Sequence, residues 1–215
     1  MPTATRPFVL VLAGVNGAGK SSVGGALLAD QGLPWFNPDS YARELVRQRG
    51  LPQVRANALA WEHGRRRLEA CLAEGANYAF ETTLGGNSIP ALLARATRTH
   101  DVMMLYCGLA SPALHLARIE ARVARGGHPI PEAKVRERWV SARSNLIALM
   151  PLLSHLQVFD NSAEVAPGEP LPDPLLVLEM AGGRMCWPDA EDLTALSATP
   201  AWARPLLEAA LSLAR

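Results

Sequence analysis

Short apolar runs alternate with longer stretches of helical periodicity along the first 160 residues. The runs have the length of strands, and we interpret five of them as strands, at residues 8–13, 35–37, 78–80, 102–107 and 156–159. The stretches between them are amphipathic and predict helices at residues 22–29, 41–49, 54–74, 89–98, 112–124 and 132–150. Strands that alternate with helices are typical of a parallel sheet covered on both faces. The pattern therefore predicts the α/β class.

The pattern changes beyond the last of these strands. Four prolines in residues 166–174 predict a linker. The runs 175–180 and 184–187 flank Ala181-Gly182-Gly183 and predict a hairpin, and residues 189–215 have the pattern of one or two amphipathic helices. We interpret this region as an appendage that shields a sheet edge.

Composition and charge narrow the class of protein. The chain has 215 residues, of which 49% are hydrophobic, enough for the core of one domain. We expect that domain over residues 1–165, with residues 166–215 as a C-terminal extension packed on it. The formal net charge of +1 gives no electrostatic reason to expect nucleic acid or an anionic membrane as a partner.

The cysteines and the first apolar run bear on location. Cys71, Cys107 and Cys186 have no paired spacing, so the sequence predicts neither a disulfide framework nor a zinc site. The run 8–13 is too short for a secretory signal or a membrane span. We therefore expect a cytoplasmic protein.

The most specific motif directly follows the first predicted strand. The octapeptide Gly14-Val15-Asn16-Gly17-Ala18-Gly19-Lys20-Ser21 fits G-x-x-x-x-G-K-[ST] at every fixed position, which is typical of a phosphate-binding P-loop. Backbone N–H groups and the positive end of the next helix favour a bound phosphate. We expect Lys20 to reach the terminal phosphates of ATP and the Ser21 hydroxyl to ligate Mg²⁺. The predicted nucleotide-binding residues are Asn16, Gly17, Ala18, Gly19, Lys20, Ser21 and Ser22.

A carboxylate follows the second predicted strand, at the end where doubly wound sheets bind ligands. Asp39 lies in Asn37-Pro38-Asp39-Ser40. It could accept the proton of a hydroxyl that attacks the γ phosphate, the role of a catalytic base. It could instead cap the helix that starts near Tyr41.

A second carboxylate, Glu81, ends the third predicted strand and is followed by Thr82 and Thr83. A charged group there is costly to bury without a partner. With the threonines it could bind substrate hydroxyls or a water on Mg²⁺, or it could form an internal salt bridge with an arginine. The turn Gly85-Gly86-Asn87 predicts a flexible pocket loop.

Three arginines share one face of the helix predicted at 112–124 and just beyond it. Arg118, Arg122 and Arg125 are spaced i, i+4, i+7, so they would repel each other unless an anion lies against them. They could neutralise charge on a transferred phosphoryl group, or form a solvated basic face. His128, in the following loop, is a further contact to consider. Three arginines of the next helix could close over the same nucleotide, namely Arg136, Arg138 and Arg143.

Two other polar or aromatic features have structural interpretations. Asp160-Asn161-Ser162 follows the last strand and predicts a turn, with a position beside the adenine as the alternative. The five tryptophans are scattered, so we expect them to pack in the core instead of forming a stacking platform.

Together these blocks resemble the zeta-toxin-like P-loop kinases, in particular their compact bacterial branch of predicted ATPases. The resemblance covers about residues 8–162 in the order of the family. The motifs that carry it are the P-loop, Asn37-Pro38-Asp39, Phe80-Glu81-Thr82-Thr83-Leu84, Arg118-Ile119-Glu120-Ala121-Arg122-Val123, Gly126-Gly127-His128-Pro129-Ile130-Pro131 and Asp160-Asn161-Ser162.

The resemblance implies a nucleotide-kinase-like fold and a phosphotransferase that uses ATP and Mg²⁺. Zeta toxins phosphorylate the 3′-hydroxyl of a UDP-N-acetyl-amino sugar, so UDP-N-acetylglucosamine is the implied substrate and an antitoxin-like inhibitor protein an implied partner. Lys20 and Ser21 would hold ATP and metal, Asp39 would be the base, and Glu81 and Thr83 would contact the sugar nucleotide. Arg118 with Arg122 or Arg125 would clamp the phosphoryl group. Two alternatives stay open: a kinase of another small molecule, such as an antibiotic or a sugar, and a slow ATP-binding switch.

Overall fold

A computed structural model describes residues 6–24, 33–164 and 172–213 of the chain. Within them one six-stranded sheet is flanked by helices, so the predicted α/β class is confirmed. The strand order is β2-β1-β3-β4-β5-β6. The first four strands of this order are parallel to one another, β5 is antiparallel to β4, and β6 is antiparallel to β5. The strands are β1 (Phe8–Ala13), β2 (Tyr78–Thr82), β3 (Asp101–Gly108), β4 (His155–Asp160), β5 (Leu175–Ala181) and β6 (Arg184–Trp187).

Helices connect the strands, and the predicted ones differ from the observed ones by up to three residues at their described ends. The helices are α1, which begins at residue 20 and is described to residue 24, α2 (Pro38–Arg49), α3 (Gln53–Glu74), α4 (Ser88–Ala96), α5 (Pro112–Ala124), α6 (Glu132–Leu149), α7 (Leu193–Ala198) and α8 (Arg204–Leu213). The remainder of the first predicted helix and most of the predicted linker lie outside the described residues. None of the described helices combines the length and the apolar character needed to cross a membrane.

The register of the parallel strands brings their carboxyl ends together. Leu12 of β1 lies beside Glu81 of β2, and Gly108 of β3 lies beside Asp160 of β4. The P-loop leaves β1 at the same edge, because Ala13 is the last residue of that strand. The chemistry-bearing loops of the sequence therefore meet at one edge of the sheet, as the doubly wound pattern predicts.

The predicted strand at 35–37 is present only as a single bridge. Phe36 pairs in parallel with Phe80. Its backbone N–H donates to the carbonyl oxygen of Ala79, and its carbonyl oxygen accepts from the N–H of Glu81, both at 2.9 Å. The segment stops there because Pro38 has no backbone N–H and opens α2. This short pairing still fixes the start of α2 beside the end of β2.

The C-terminal hairpin extends the sheet of the P-loop domain. β5 pairs antiparallel with β4, and β6 pairs with β5, which confirms the predicted hairpin. Trp202 precedes α8 and is buried, and its indole N–H donates to Asp160 at 3.1 Å. The predicted appendage therefore lies along the edge of β4, while the division of the chain at residue 165 stays a prediction.

Candidate active site

The P-loop forms the turn between β1 and α1. Three of its glycines have a positive φ, which residues with a Cβ rarely adopt. The φ values are 140° at Gly14, 82° at Gly17 and 86° at Gly19. Lys20 is the first residue of α1, and its Nζ lies 3.4 Å from the carbonyl oxygen of Val15. The conformation is one in which N–H groups can turn inward toward an anion.

The Lys20 ammonium lies close to both predicted acidic residues. Burial lowers its pKa, and the nearby carboxylates of Glu81 and, to a smaller extent, Asp39 oppose that shift. All three residues also line one cavity. The structure therefore brings the predicted phosphate-binding lysine, the predicted base and the predicted substrate-binding acid into one site.

Three side chains from distant parts of the chain hold the P-loop. The ring Nδ1 of His115 lies 2.8 Å from the carbonyl oxygen of Asn16, so it donates to that oxygen. Asn161 donates its side-chain amide to the carbonyl oxygen of Ala18 at 2.9 Å. The guanidinium of Arg138 donates to the side-chain oxygen of Asn16 at 2.7 Å. These contacts connect the loop to α5, to the end of β4 and to α6.

Sequence reasoning passed over His115. The residue is buried, and burial lowers its pKa to about 4, so the ring is neutral at physiological pH. It shares the buried side of α5 with Ile119, four residues further on. A polar residue on an otherwise apolar helix face was the signal that could have identified it.

Glu81 is buried and accepts three hydrogen bonds from neutral donors. The donors are the Ser21 hydroxyl at 3.1 Å, the Trp35 indole at 3.0 Å and the Asn37 amide at 3.0 Å. No arginine pairs with it among the described residues, so the alternative of an internal salt bridge is wrong. The carboxylate instead lies beside the hydroxyl that we expect to ligate Mg²⁺.

A metal at this position would depend on the nucleotide. Within the described ranges, no group of three or more His, Cys, Asp or Glu could hold a metal ion by itself. Ser21 and Glu81 supply two oxygen groups, the ligand type that Mg²⁺ prefers, and phosphate oxygens commonly supply further ligands. The residues present therefore fit a nucleotide-bound Mg²⁺.

Asp39 is not the helix cap. Asn37 caps α2, because its side-chain oxygen accepts from the backbone N–H of Ser40 at 3.0 Å. The alternative role for Asp39 is therefore wrong, and its half-exposed carboxylate is left to face the cavity. Arg122 lies 3.7 Å from it, a long ion pair between partly exposed groups.

The three arginines predicted to form one face separate in the structure. Arg122 lies 3.7 Å from Asp39 and donates to the carbonyl oxygen of His128 at 2.8 Å, and both of these partners line the cavity. Arg118 donates to the carbonyl oxygen of Ala163 at 3.1 Å, beyond the end of β4. Arg125 follows the last residue of α5 and is exposed. Of the three, the structure places Arg122 beside the predicted base.

The arginines of α6 also separate. Arg138 lines the cavity and contacts the P-loop, as its proposed closure over the nucleotide requires. Arg136 is exposed and pairs with Glu132. Arg143 donates to the carbonyl oxygen of Trp202, on the side of the C-terminal extension. Arg138, which was one of several candidates in the sequence, is the member of this helix that reaches the site.

The loop after β2 is anchored to α6. Ser141 donates to the carbonyl oxygen of Gly85 at 2.9 Å, and Asn145 donates to those of Leu84 at 2.7 Å and Gly86 at 3.1 Å. The glycines predicted a flexible loop, but three hydrogen bonds from one helix restrain it. Thr82 and Thr83 precede this loop and line the cavity, and their role in substrate binding stays a prediction.

The segment 160–162 makes one local contact and one contact with the P-loop, while the turn and the position beside the adenine stay predictions. The Ser162 hydroxyl donates to the Asp160 carboxylate, a contact between neighbouring side chains. Asn161, in contrast, contacts the P-loop as described above.

The prediction that the tryptophans pack in the core holds for some of them and not for others. Trp202 is buried as predicted, whereas Trp61 is 47% exposed and lines the cavity, so its predicted packing role is wrong.

The cavity has a volume of about 820 Å³, within the range of small-molecule sites. One side carries the predicted functional residues Lys20, Asp39, Glu81, Thr82 and Thr83. The loop 128–131 and α6 form another side, and α3 forms a third. Burial lowers the pKa of His128 in that loop. The cavity therefore lies next to the P-loop and has the size of a small-molecule site.

The chain belongs to a family of AAA domains. The family model AAA_33, described as "AAA domain", matches residues 9–143, more than half of the chain and all of the P-loop, Asp39 and the Glu81 loop. No curated protein matches the sequence significantly.

Solved structures of P-loop kinase-like fold resemble the protein. AvrRxo1-ORF1 in complex with AvrRxo1-ORF2 and ATP is 19% identical, with a TM-score of 0.61 over 93% of this chain and 65% of that chain. A putative kinase from Chloroflexus aurantiacus is 18% identical, with a TM-score of 0.51 over 65% of this chain and 80% of that chain. A structure of the PezAT toxin–antitoxin system of Streptococcus pneumoniae is 16% identical, with a TM-score of 0.51 over 74% of this chain and 70% of that chain. The chain spans about two thirds of the AvrRxo1 protein that it matches.

Proposed function

We propose that the protein is an ATP-dependent phosphotransferase of the zeta-toxin type, which moves the γ-phosphate of ATP to a hydroxyl of a small metabolite. One observation carries the proposal: Lys20 of the P-loop, Asp39 and Glu81 line a single cavity large enough for an acceptor. Because ATP is a cytosolic nucleotide, the proposal places the protein in the cytoplasm.

The P-loop binds the phosphates in this proposal. Residues 16–22 supply backbone N–H groups and the start of α1, and Lys20 holds the terminal phosphates. Ser21, with Glu81 as its hydrogen-bond acceptor, would hold Mg²⁺, which when bound neutralises negative charge on the β and γ oxygens.

Asp39 is the base in the proposed reaction. The acceptor hydroxyl oxygen forms a bond to the γ phosphorus as the bond from that phosphorus to the bridging oxygen breaks, and the electron pair stays on ADP. The hydroxyl proton passes to the Asp39 carboxylate. Its freedom from helix capping and its position on the cavity wall support this role.

Arg122 and Arg138 are the phosphoryl clamp that the geometry favours. Arg122 lies beside Asp39, and Arg138 lies on the P-loop, so the two flank the path between acceptor and γ phosphate. Fixed cations there stabilise the charge of the transition state. Arg118 and Arg125, the other predicted members, lie outside this arrangement, so we assign them no direct role in the transfer.

The acceptor we favour is a UDP-N-acetyl-amino sugar, such as UDP-N-acetylglucosamine. The resemblance to zeta toxins supports it, and the fold relatives include a structure with ATP and structures of toxin–antitoxin systems. The same relatives make an antitoxin-like inhibitor a candidate partner. Other hydroxyl compounds, such as simple sugars or antibiotics, are the competing acceptors.

The experiment is a measurement of ATP consumption with Mg²⁺, with and without a panel of UDP-sugars, sugars and antibiotics. Mass spectrometry of the acceptor detects an added phosphate. We expect at least a tenfold rise in turnover with one UDP-sugar and a product heavier by one phosphate. Slow hydrolysis that no acceptor stimulates would reject the kinase and favour the switch.

A further inference from the structure

Helix α3 forms one wall of the cavity, and this wall carries large apolar side chains that are exposed to solvent. Val54 is 82% exposed and Trp61 is 47% exposed, although both line the cavity. With Asn57 they have i, i+3, i+7 spacing, so they lie on one face of the helix. We call these three residues with Gln53 the α3 wall. An exposed apolar strip inside a cavity is suited to an apolar surface of a ligand.

Trp61 gives this wall a flat aromatic surface. The guanidinium of Arg65 lies over its ring at 5.9 Å from the centroid. Arg65 is itself paired with Glu62 and Glu69, so its charge is already balanced. The Trp61–Arg65 pair is therefore better suited to stack a planar ring than to bind a phosphate or carboxylate.

Beside the tryptophan lies a pair of amides. Gln53 donates to the side-chain oxygen of Asn57 at 2.8 Å, and both amides line the cavity. Gln53 keeps its carbonyl oxygen free and Asn57 keeps its NH₂ group free of other partners in the described part of the chain. The pair thus offers one acceptor and one donor side by side. A ring that carries adjacent N–H and C=O groups is complementary to it.

We propose that the α3 wall is a subsite for a nucleobase of the acceptor, which stacks on Trp61 and presents its amide-like edge to Gln53 and Asn57. Placing the base on the acceptor, and not on ATP, rests on the proposed function. The geometry agrees, because the α3 wall shares the cavity with Asp39. Asn161, which bonds the P-loop at Ala18, is not among the residues that line this cavity.

The test is a set of binding measurements that require no phosphotransfer. The protein is saturated with Mg²⁺ and a non-hydrolysable ATP analogue, and UMP, CMP, GMP and ribose 5-phosphate are titrated in by calorimetry. We expect at least one nucleotide to bind at least tenfold more tightly than ribose 5-phosphate. Trp61→Ala should abolish that preference, because it removes the stacking surface.

Two variants serve as controls. Trp61→Phe keeps an aromatic ring and should retain most of the preference. Trp187→Ala removes another tryptophan of similar exposure, 43%, which does not line the cavity, and should leave all affinities unchanged. The ATP analogue should bind equally to every variant, which shows that the P-loop remains folded.

The outcomes separate this inference from the proposed function. Equal affinity for nucleotides and ribose 5-phosphate, or a preference that survives in Trp61→Ala, overturns the base subsite even if the protein phosphorylates some other acceptor. A preference that depends on Trp61 in a protein without phosphotransfer supports the subsite and rejects the kinase.

Discussion

Asn145 donates its side-chain amide to the carbonyl oxygen of Leu84 at 2.7 Å, and Leu84 has a left-handed backbone with φ of 56°. It is the one non-glycine residue with positive φ in the described ranges. Such a conformation costs a residue with a Cβ about 1 to 3 kcal/mol. Burial of the Leu84 side chain and the bonds from Asn145 offset that cost, so α6 determines the shape of the loop after β2.

Removal of the Asn145 amide should weaken acceptor binding more than ATP binding. In Asn145→Ala the carbonyl oxygens of Leu84 and Gly86 lose their partner, and the strained loop relaxes away from the cavity. We expect the KM for the acceptor to rise about five- to fiftyfold and the KM for ATP to change less than twofold. We also expect a loss of about 1 to 2 kcal/mol in the free energy of unfolding. Steady-state kinetics and urea denaturation measure the two effects.

A neighbouring serine provides the control for this prediction. Ser144 is exposed on the same helix and bonds only the carbonyl oxygen of Val140 in the described chain. Ser144→Ala should change neither KM value. An Asn145→Ala protein whose two KM values rise together would show that the amide supports the whole site and does not position this loop alone.

Arg138 connects the same loop to the P-loop. A Cβ at Gly85 would lie 2.6 Å from its Cγ, so its stem packs closely on that loop while its guanidinium contacts Asn16. In Arg138→Gln we expect kcat to fall about 10²- to 10³-fold, because the proposed phosphoryl clamp would lose one of its two cations. The dissociation constant of ATP should change less than fivefold. Single-turnover kinetics measure the change in the rate of phosphotransfer, and calorimetry measures the dissociation constant of ATP.

Arg136→Gln is the matched control, since Arg136 is exposed on the same helix and pairs only with Glu132 among the described residues. Its kcat should stay within twofold of the native value. Equal losses in both variants would mean that the positive charge of α6 acts at long range, and Arg138 would lose its assigned role.

The parts of the fold that depend on local pattern were predictable. The run 8–13 followed by a P-loop predicts a strand, a turn and a helix, and turn residues at Gly182-Gly183 predict the hairpin. The extent of pairing at 35–37 was harder to predict, because a parallel strand is stabilised by its neighbour and not by its own composition. Phe36 makes one bridge before Pro38 ends the pairing. Sequence also does not reveal that β5 pairs with β4.

The site was predictable where chemistry is tied to a strand end. Glu81 lies near the carboxyl end of β2, Asp39 follows the bridge that Phe36 makes with Phe80, and both line the same cavity. His115 and Arg138 were not separable from other helical residues, because their partners are P-loop atoms about 100 residues or more away in sequence. The sequence left capping of α2 open as an alternative role for Asp39, and the structure gives that cap to Asn37, because both side chains could cap and only the backbone geometry distinguishes them.

Asp39→Asn should abolish phosphotransfer and leave ATP binding nearly intact. The amide keeps the shape of the side chain but cannot take the proton of the attacking hydroxyl, so we expect kcat to fall about 10²- to 10⁴-fold. The dissociation constant of ATP should change less than threefold. Glu44→Gln, on the exposed face of α2, is the control and should be fully active. Retained turnover in Asp39→Asn would remove the assignment of a catalytic base.

His115 should make the stability of the protein depend on pH. Burial lowers its pKa from 6.5 to about 4, so well above pH 6.5 the ring is neutral in the folded and unfolded states and adds no pH dependence. As the pH falls from 6.5 toward 4, the unfolded chain binds the proton first, and the folded state is destabilised relative to it. We expect a loss of about 2 kcal/mol in the free energy of unfolding between pH 7.5 and pH 5. His115→Asn, whose amide can donate to the same Asn16 carbonyl but does not titrate, should lose correspondingly less. Urea denaturation of both proteins at the two pH values measures the difference, and equal losses would show that another group is responsible.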